Sequence, residues 1–412
     1  MKILFLTPQL PYPPHQGTAI RNYNLIKHLA SRHEIHLLSF IRSQDDLARA
    51  EPLRQLCRRI AGVPVPRRSP TKRLLSVFLS PLPDMALRLP SAEFQARLEA
   101  WLKETSFDVV QVEGIEMAGY GLGIRDQGPG IRGRPLLVFD DHNAEYVLQQ
   151  RAFETDARQP RRWVGALYSL IQWQKLRRYE ARVCRVFDRV VAVSPADAQA
   201  LQRLVPGLEV TIVLNGVDTE FYNDQIPMTK SQLAIGPWSL VFTGKMDFRP
   251  NVDAVLWFCQ EILPLIRRER PSVRFAIVGR DPHPRVQALA RDPWITVTGY
   301  VEDVRPYIAR AAVYVVPLRM GSGTRLKVLE AMAMGQAIVS TTLGCEGIAL
   351  TPGREAVLAD TAREFARRVV ELLDDEERRR SLGQQARRLV EARYDWRAIV
   401  PELEAVYGGG GP

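Results

Sequence analysis

Cysteine is scarce in this chain. Cys57, Cys184, Cys259 and Cys345 are scattered through 412 residues, and no two form a Cys-x-x-Cys pair. That spacing excludes a zinc-finger site and a disulfide framework, and it predicts a reducing, cytoplasmic setting. Long hydrophobic runs are also missing. No apolar stretch approaches the ~20 residues a transmembrane helix needs. Met1–Thr7 is too short for the apolar region of a signal peptide and runs straight into Pro8. No internal repeat of solenoid length occurs, which excludes a repeat array. Acidic residues do not balance the basic ones: 46 Asp and Glu face 56 Lys and Arg, a net charge of +10.

What remains is an ordinary globular composition, with 46% apolar and 25% charged residues. The length is too great for one hydrophobic core, so two domains are expected. The positive charge is uneven. Residues 151–190 hold ten Lys or Arg against four acids, with Trp163, Tyr168, Leu170, Ile171 and Trp173 among them. A basic, aromatic-rich helix of this kind can lie on an anionic membrane surface. A solvated face over a core-packed stripe is the plainer reading. Nucleic acid ranks lowest, because no nucleic-acid module accompanies the charge.

Strand and helix patterns alternate twice over. In the first half, strands are predicted at Lys2–Thr7, Glu34–Phe40, Asp108–Val112, Leu136–Asp140, Arg189–Val193 and Val210–Leu214. In the second they fall at Ser239–Thr243, Arg274–Val278, Ile295–Thr298, Val313–Val316, Ala337–Ser340 and Ala356–Leu358. Apolar strands separated by amphipathic helices predict an α/β chain of two doubly wound, Rossmann-like domains with parallel sheets. The junction is expected at Asn215-Gly-Val-Asp218. The Pro/Gly-rich basic segments at 63–72 and 123–134 read as loops. Ligands in such sheets gather at the carboxyl ends of strands, and the unusual residues stand there: Pro8 to Gly17, Asp141-His142-Asn143, Gly244-Lys245, Gly279-Arg280, Gly299 and Gly321-Ser-Gly323.

The segment from Pro317 to Gly335 is the most informative. An apolar strand breaks at Gly321-Ser322-Gly323 and turns helical. Gly323, Lys327 and Glu330 then share one helix face. Free amides and the helix dipole favour phosphate at such a turn. Lys327 adds positive charge one turn in, and Glu330 can accept two hydrogen bonds from a sugar diol. The order fits a nucleotide laid along the helix. The plain alternative is a tight turn followed by a surface Lys–Glu pair.

The collinear set Asn215-Gly-Val-Asp218, Phe242 to Asp253, Ile277-Val-Gly279, Val297 to Asp303 and Pro317 to Gly335 resembles the nucleotide-sugar domain of the family-4 retaining glycosyltransferases. That family has the GT-B fold, in which two Rossmann-like domains face each other across a cleft. Pro11 to Gly17 and Asp141-His-Asn-Ala-Glu145 are similar to its bacterial cell-surface polysaccharide members. The resemblance implies an N-terminal acceptor domain at 1–214 and a nucleotide-sugar domain at 215–393. It also implies a final helix, 394–408, packed back on the first domain. It implies transfer of a sugar from a UDP- or GDP-linked donor to a glycan or lipid-linked acceptor, as a cytoplasmic enzyme peripheral to the inner face of the membrane. His142 resembles the histidine that contacts the transferred sugar, acting as a neutral imidazole. Gly17 resembles the glycine that lets backbone approach the phosphate or acceptor.

Lys245 stands at the diphosphate cation position, with Arg249 nearby. Lys327 and the amides of Gly321, Ser322, Gly323 and Thr324 would join them. Glu330 would hold the ribose, and Gly299, Tyr300 and Val301 would give backbone contacts to the base. No Asp-x-Asp motif stands at a strand end, so neither an essential metal nor a separate cofactor is expected. Many family members carry two glutamates separated by seven residues; Glu330 matches the second, and Ser322 occupies the position of the first. Two other classes stay open: a GT-B nucleotide-sugar epimerase, and a catalytically silent nucleotide-sugar-binding partner.

Overall fold

The computed structural model describes residues 1–14, 17–126, 132–157, 163–223, 238–321 and 323–408. Ser322, Arg161 and Arg162 lie outside these residues, as do His15 and Gln16 of the first glycine motif.

The first unit spans Met1–Leu214 and takes the chain back from Val400 onward. Its sheet has seven parallel strands: β1 (Lys2–Thr7), β2 (Glu34–Ile41), β3 (Arg59–Pro64), β4 (Val109–Glu113), β5 (Leu136–Asp141), β6 (Arg189–Ala192) and β7 (Val210–Ile212). The order is β3-β2-β1-β4-β5-β6-β7. All five residues of β4 and the last five of β5 are buried. Burial on both faces is what continuous apolar strands demand, because helices cover a parallel sheet on each side. Phe40 stacks on Phe94 with ring centroids 4.6 Å apart, pinning the helix Ala92–Glu104 to the sheet.

The second unit, Asn215–Ile399, carries β8 (Trp238–Thr243), β9 (Phe275–Val278), β10 (Ile295–Val297), β11 (Ala311–Val316), β12 (Ile338–Ser340) and β13 (Val357–Leu358). These six strands are parallel, in the order β10-β9-β8-β11-β12-β13. Phe258 packs tilted against Phe275 of β9 and edge to face against Phe365. The helix Ala362–Asp374 starts where the Thr361 side chain accepts the Glu364 amide, which satisfies one of its otherwise unpaired donors.

Two expectations need correction. The strand Arg59–Pro64 lies partly in the segment read as a loop, and the helix Pro70–Leu79 follows it. β3 pairs only with β2, so it is an edge strand. Proline at its end withholds no ladder hydrogen bond, and a proline-based reading therefore misses it. The segment 123–134 also loses its first residues to a helix, Ala118–Asp126. The last helix runs Trp396–Gly408, and its residues from Val400 onward group with the first unit.

Candidate functional site

In the second unit, three neighbouring strand ends finish in glycine: Gly244 after β8, Gly279 after β9 and Gly299 after β10. All have positive φ, at 152°, 148° and 69°. Their backbones stack. A Cβ on Gly279 would lie 1.7 Å from the Gly244 carbonyl oxygen, closer than any side chain can come. Gly279 in turn forms an isolated antiparallel bridge with Gly299. The residues Gly299, Tyr300 and Val301 sit on this stack, with Tyr300 exposed and open space above Gly299.

The helix Leu326–Ala333 flanks the stack. It begins at Leu326, so Gly321, Gly323 and Thr324 form the turn before it rather than its first residues. Gly321 and Gly323 have φ of 124° and 78°. Lys327 Nζ donates to Asn251 Oδ1 at 2.7 Å and lies 4.0 Å from the centre of the Phe242 ring. Asn251 Nδ2 donates to the Lys245 carbonyl at 2.8 Å. One buried amide therefore fixes Lys327 against the loop after β8. Burial lowers the Lys327 ammonium to about 7, and Glu330 opposes that shift. Burial raises the Glu330 carboxyl. The Tyr222 phenol, which hydrogen-bonds it, and Lys327 pull the other way. Lys327 and Glu330 thus share a face and a local field, as their spacing predicts.

Lys245 and Arg249 are placed differently. Lys245 Nζ sits 2.9 Å from Asp247 Oδ2 and 3.9 Å from Asp281 Oδ2, with the side chain about half exposed. Arg249 lines a cavity of about 380 Å³ together with Asp247, Asp253, Trp257, His283 and Arg319. That cavity contains none of the stacked glycines and neither Lys327 nor Glu330. Arg325 turns toward Gly321, where a Cβ would meet its Nη1 at 3.1 Å, and toward Glu346, 3.8 Å away.

In the first unit, the strand ends of β4 and β5 bring Glu113 beside His142. His142 Nε2 lies 2.7 Å from Glu113 Oε2. Glu113 Oε1 accepts from Gln111 Nε2 at 3.1 Å. Arg21 Nε and Nη2 hold Asp140 Oδ2 at 3.0 and 2.8 Å, and Arg21 Nη1 donates to the Leu214 carbonyl at 3.0 Å. Glu113, Asp140 and Gln111 are fully buried and Arg21 is nearly so. Burial alone would lower His142. The hydrogen bond and charge of Glu113 outweigh it, and the imidazole keeps its proton above the ordinary histidine value. Burial and the Asp140 charge raise the Glu113 carboxyl in turn, so Glu113 and His142 compete for one proton, and the pairing favours the protonated ring more than the expected neutral imidazole would.

Next to it, Glu180 accepts the amides of Glu145 and Tyr146 at 2.9 and 3.0 Å, which anchors the helix Glu145–Ala157. Burial and then Glu180 push the Asp141 carboxyl well above its usual range. Burial, followed by the Glu116 charge, raises Glu145 to about 7. Gly17 opens the helix Gly17–Leu29, and a Cβ there would meet nothing within 4 Å.

Sequence reasoning did not single out Glu113, Asp140, Arg21, Gln111, Asn251 or Tyr222. One signal was available. Glu113 ends an apolar strand just before a glycine, by the same rule that selects His142. Glu113, Asp140 and His142 bring one ligand atom each within 4.8 Å of one another. Their atoms are already committed, however: Asp140 to Arg21, and Glu113 to Gln111 and His142.

Two parallel α/β sheets, one ending in stacked glycines beside a Lys–Glu helix face and one in a buried histidine–carboxylate network, define a glycosyltransferase of the GT-B fold. Residues 15–221, just over half the chain, match Glycosyltransferase Family 4, and residues 238–375 match Glycosyl transferases group 1. The chain belongs to Glycosyltransferase Family 4. An uncharacterized 44.6 kDa protein in the cps region of Klebsiella pneumoniae is 18% identical over 412 residues, covering 98% of both chains. The phosphatidyl-myo-inositol mannosyltransferase of Mycolicibacterium smegmatis is 28% identical over 223 residues, covering 53% of this chain and 56% of that one. Among solved structures, HepE of Anabaena in complex with UDP superposes with a TM-score of 0.67 at 16% identity, covering all of both chains. Sucrose-phosphate synthase of Thermosynechococcus elongatus gives 0.71 at 17% identity, covering 99% of both.

Proposed function

We propose that this enzyme transfers a sugar, with retention, from a UDP- or GDP-linked donor to a hydroxyl of a lipid-linked or polysaccharide intermediate, without a metal ion. The observation that carries the reading is the helix Leu326–Ala333 set against the glycine stack. Bare backbone there leaves room for a nucleotide. Lys327 faces the diphosphate and Glu330 the ribose, with the Tyr222 phenol holding the carboxylate until a diol replaces it. Lys245, Arg249 and the amides of Gly321, Gly323 and Thr324 add positive potential for the leaving diphosphate. Gly299, Tyr300 and Val301 form the ledge for the base. His142 contacts the transferred sugar, and Gly17 gives the donor or acceptor close access to backbone. The UDP complex of HepE and the mannosyltransferase activity in the name of the Mycolicibacterium relative support this class of donor and reaction.

A membrane-proximal acceptor is supported by the first unit's surface. The helix Trp163–Val186 packs beside Pro70–Leu79, with Lys175 Nζ donating to the Ser76 and Val77 carbonyls. The pair exposes Leu75, Phe78, Leu79, Trp163, Val164 and Leu167 among arginines. Among the described residues no helix is long and apolar enough to cross a membrane, so attachment would be peripheral, at the inner face.

The test is incubation with a panel of UDP- and GDP-sugars, with and without acceptor lipids. Transfer to the lipid with retained anomeric configuration is expected. Epimerised free nucleotide sugar would make it an isomerase, and binding without turnover a silent partner. Co-sedimentation with anionic liposomes, weakened by Phe78→Glu with Trp163→Glu, is expected from the exposed face. Equal binding to neutral liposomes would remove the electrostatic account.

A further inference from the structure

The buried network at His142 takes in the last residue before the chain leaves the first unit and the helix on which it returns. Arg21 binds the carbonyl of Leu214, the last residue before the chain leaves the first unit. Tyr407 stands on the helix by which the chain returns, and its phenol donates to Gln111 Oε1 at 3.2 Å. Gln111 then donates through Nε2 to Glu113 Oε1 at 3.1 Å and to Asp140 Oδ2 at 3.4 Å. Glu113 Oε2 meets His142 Nε2.

We propose that Tyr407, acting through Gln111 and Glu113, is a positioning residue for His142. On this assignment the seating of the returning helix sets the orientation and proton of the imidazole.

The chemistry of the amide carries the argument. A carboxamide has one accepting and one donating end. Two carboxylates accept at Nε2, so the Oε1 end must face a donor, and Tyr407 supplies it. Were the amide flipped, its oxygen would face Glu113 and Asp140, three acceptors with no proton between them. The phenol is a reliable donor, because burial and the two carboxylates keep it protonated. Charge balance completes the set. Glu113 and Asp140 bring two negative charges into a buried site and Arg21 brings one positive. Burial and the Asp140 charge raise the Glu113 carboxyl, so Glu113 and His142 share the proton that offsets the remaining charge, because an unbalanced buried charge is costly. Among the described residues, Glu145 also interacts with the charge of His142, and Glu116 beside it is held by Arg88 at 3.2 Å.

The inference rests on the proposed sugar-contacting role of His142 only for its meaning in the reaction. Its test reads the ring itself. The full chain, without ligand, is labelled at its six histidines. The His142 resonances are assigned by their loss in His142→Gln and titrated by NMR. Glu113→Gln is expected to lower the His142 midpoint by about 1 pH unit or more, the usual effect of removing an adjacent opposite charge. Tyr407→Phe, which deletes a single oxygen, and Gln111→Met are expected to lower it by a smaller but measurable amount. A His142 titration in Tyr407→Phe identical to that of the parent would overturn the proposal, whatever Gln111→Met does. Activity measured beside it separates the two readings. A moved midpoint with unchanged sugar transfer keeps the relay and removes His142 from the reaction.

Discussion

The two units share a topology and solve the same problem with opposite materials. At the strand ends of the first, side chains make the site: Glu113, Asp140, Arg21 and His142 balance one another out of water. At the strand ends of the second, backbone makes it: Gly244, Gly279 and Gly299 stack with no side chain between them, and the buried charged groups beside them are Lys327 and Glu330. A parallel sheet dictates where a ligand can lie. It does not dictate what meets it. The first site should fail when charge is unbalanced, and the second when a single carbon is added.

The largest effect is expected at the glycine stack. Gly279→Ala places a Cβ 1.7 Å from the Gly244 oxygen at a φ of 148°. Relief requires the loops after β8 and β9 to part. Overpacking of this kind costs about 1–3 kcal/mol or more, and the site is lost with it. Thermal unfolding should show a clear drop in Tm, and calorimetry should show no UDP binding. Gly17→Ala, where the same carbon meets nothing, should leave the Tm unchanged. Equal Tm values for the two variants would break the contrast between a packed and an open glycine.

Next comes Glu330. A charged hydrogen bond to a sugar diol is worth roughly 1.5–3 kcal/mol, so Glu330→Ala should weaken UDP or GDP binding about ten-fold or more with the fold intact. Unchanged affinity by calorimetry would take the ribose contact away from this residue. Glu113→Gln should leave nucleotide affinity alone, because its site belongs to the other unit's chemistry.

Lys327 sharpens the comparison through pH. Its ammonium, lowered to about 7 by burial, has to be charged to hold a diphosphate. Affinity should fall as pH rises above about 7, by at most about ten-fold per pH unit, with proton uptake on binding. For folding the sign is opposite. The folded value lies below the unfolded one of 10.5, so the unfolded chain binds more protons between them and stability rises with pH across that window. Lys327→Arg should flatten the binding profile. A flat profile in the parent chain would mean that the diphosphate does not use Lys327.

Local spacing in the sequence groups the candidate residues of the second unit, and in the first it picks out His142 but not the partners around it. Lys327 and Glu330 lie three residues apart just past a glycine turn, so local spacing alone puts them on one face. Tyr407 and Gln111 are 296 residues apart, and no local pattern joins them. Only the return of the last helix does. Asp140 ended a strand as Leu136–Asp140, and its burial against Arg21 was invisible because an arginine in a helix ordinarily faces solvent. The strands were legible wherever burial on both faces left an unbroken apolar run. β3 was not, because an edge strand can end in prolines and arginines.

The smallest expected effect tests whether both sites get by with their own charges. In the first, Arg21 fills Asp140, and Gln111 and His142 fill Glu113. A divalent ion there would have to expel a guanidinium and a proton from buried partners. In the second, the cations near the turn are Lys245, Arg249 and Lys327. Lys245 already carries Asp247 at 2.9 Å, a pairing it can exchange for phosphate at little cost because both groups stand about half exposed. UDP affinity measured with EDTA and with added magnesium should therefore agree within about two-fold, a difference of roughly 0.4 kcal/mol. A ten-fold gain with magnesium would show that side-chain cations do not suffice at the backbone-built site. The two units would then differ in a further respect, with only the first neutralising its charges from within.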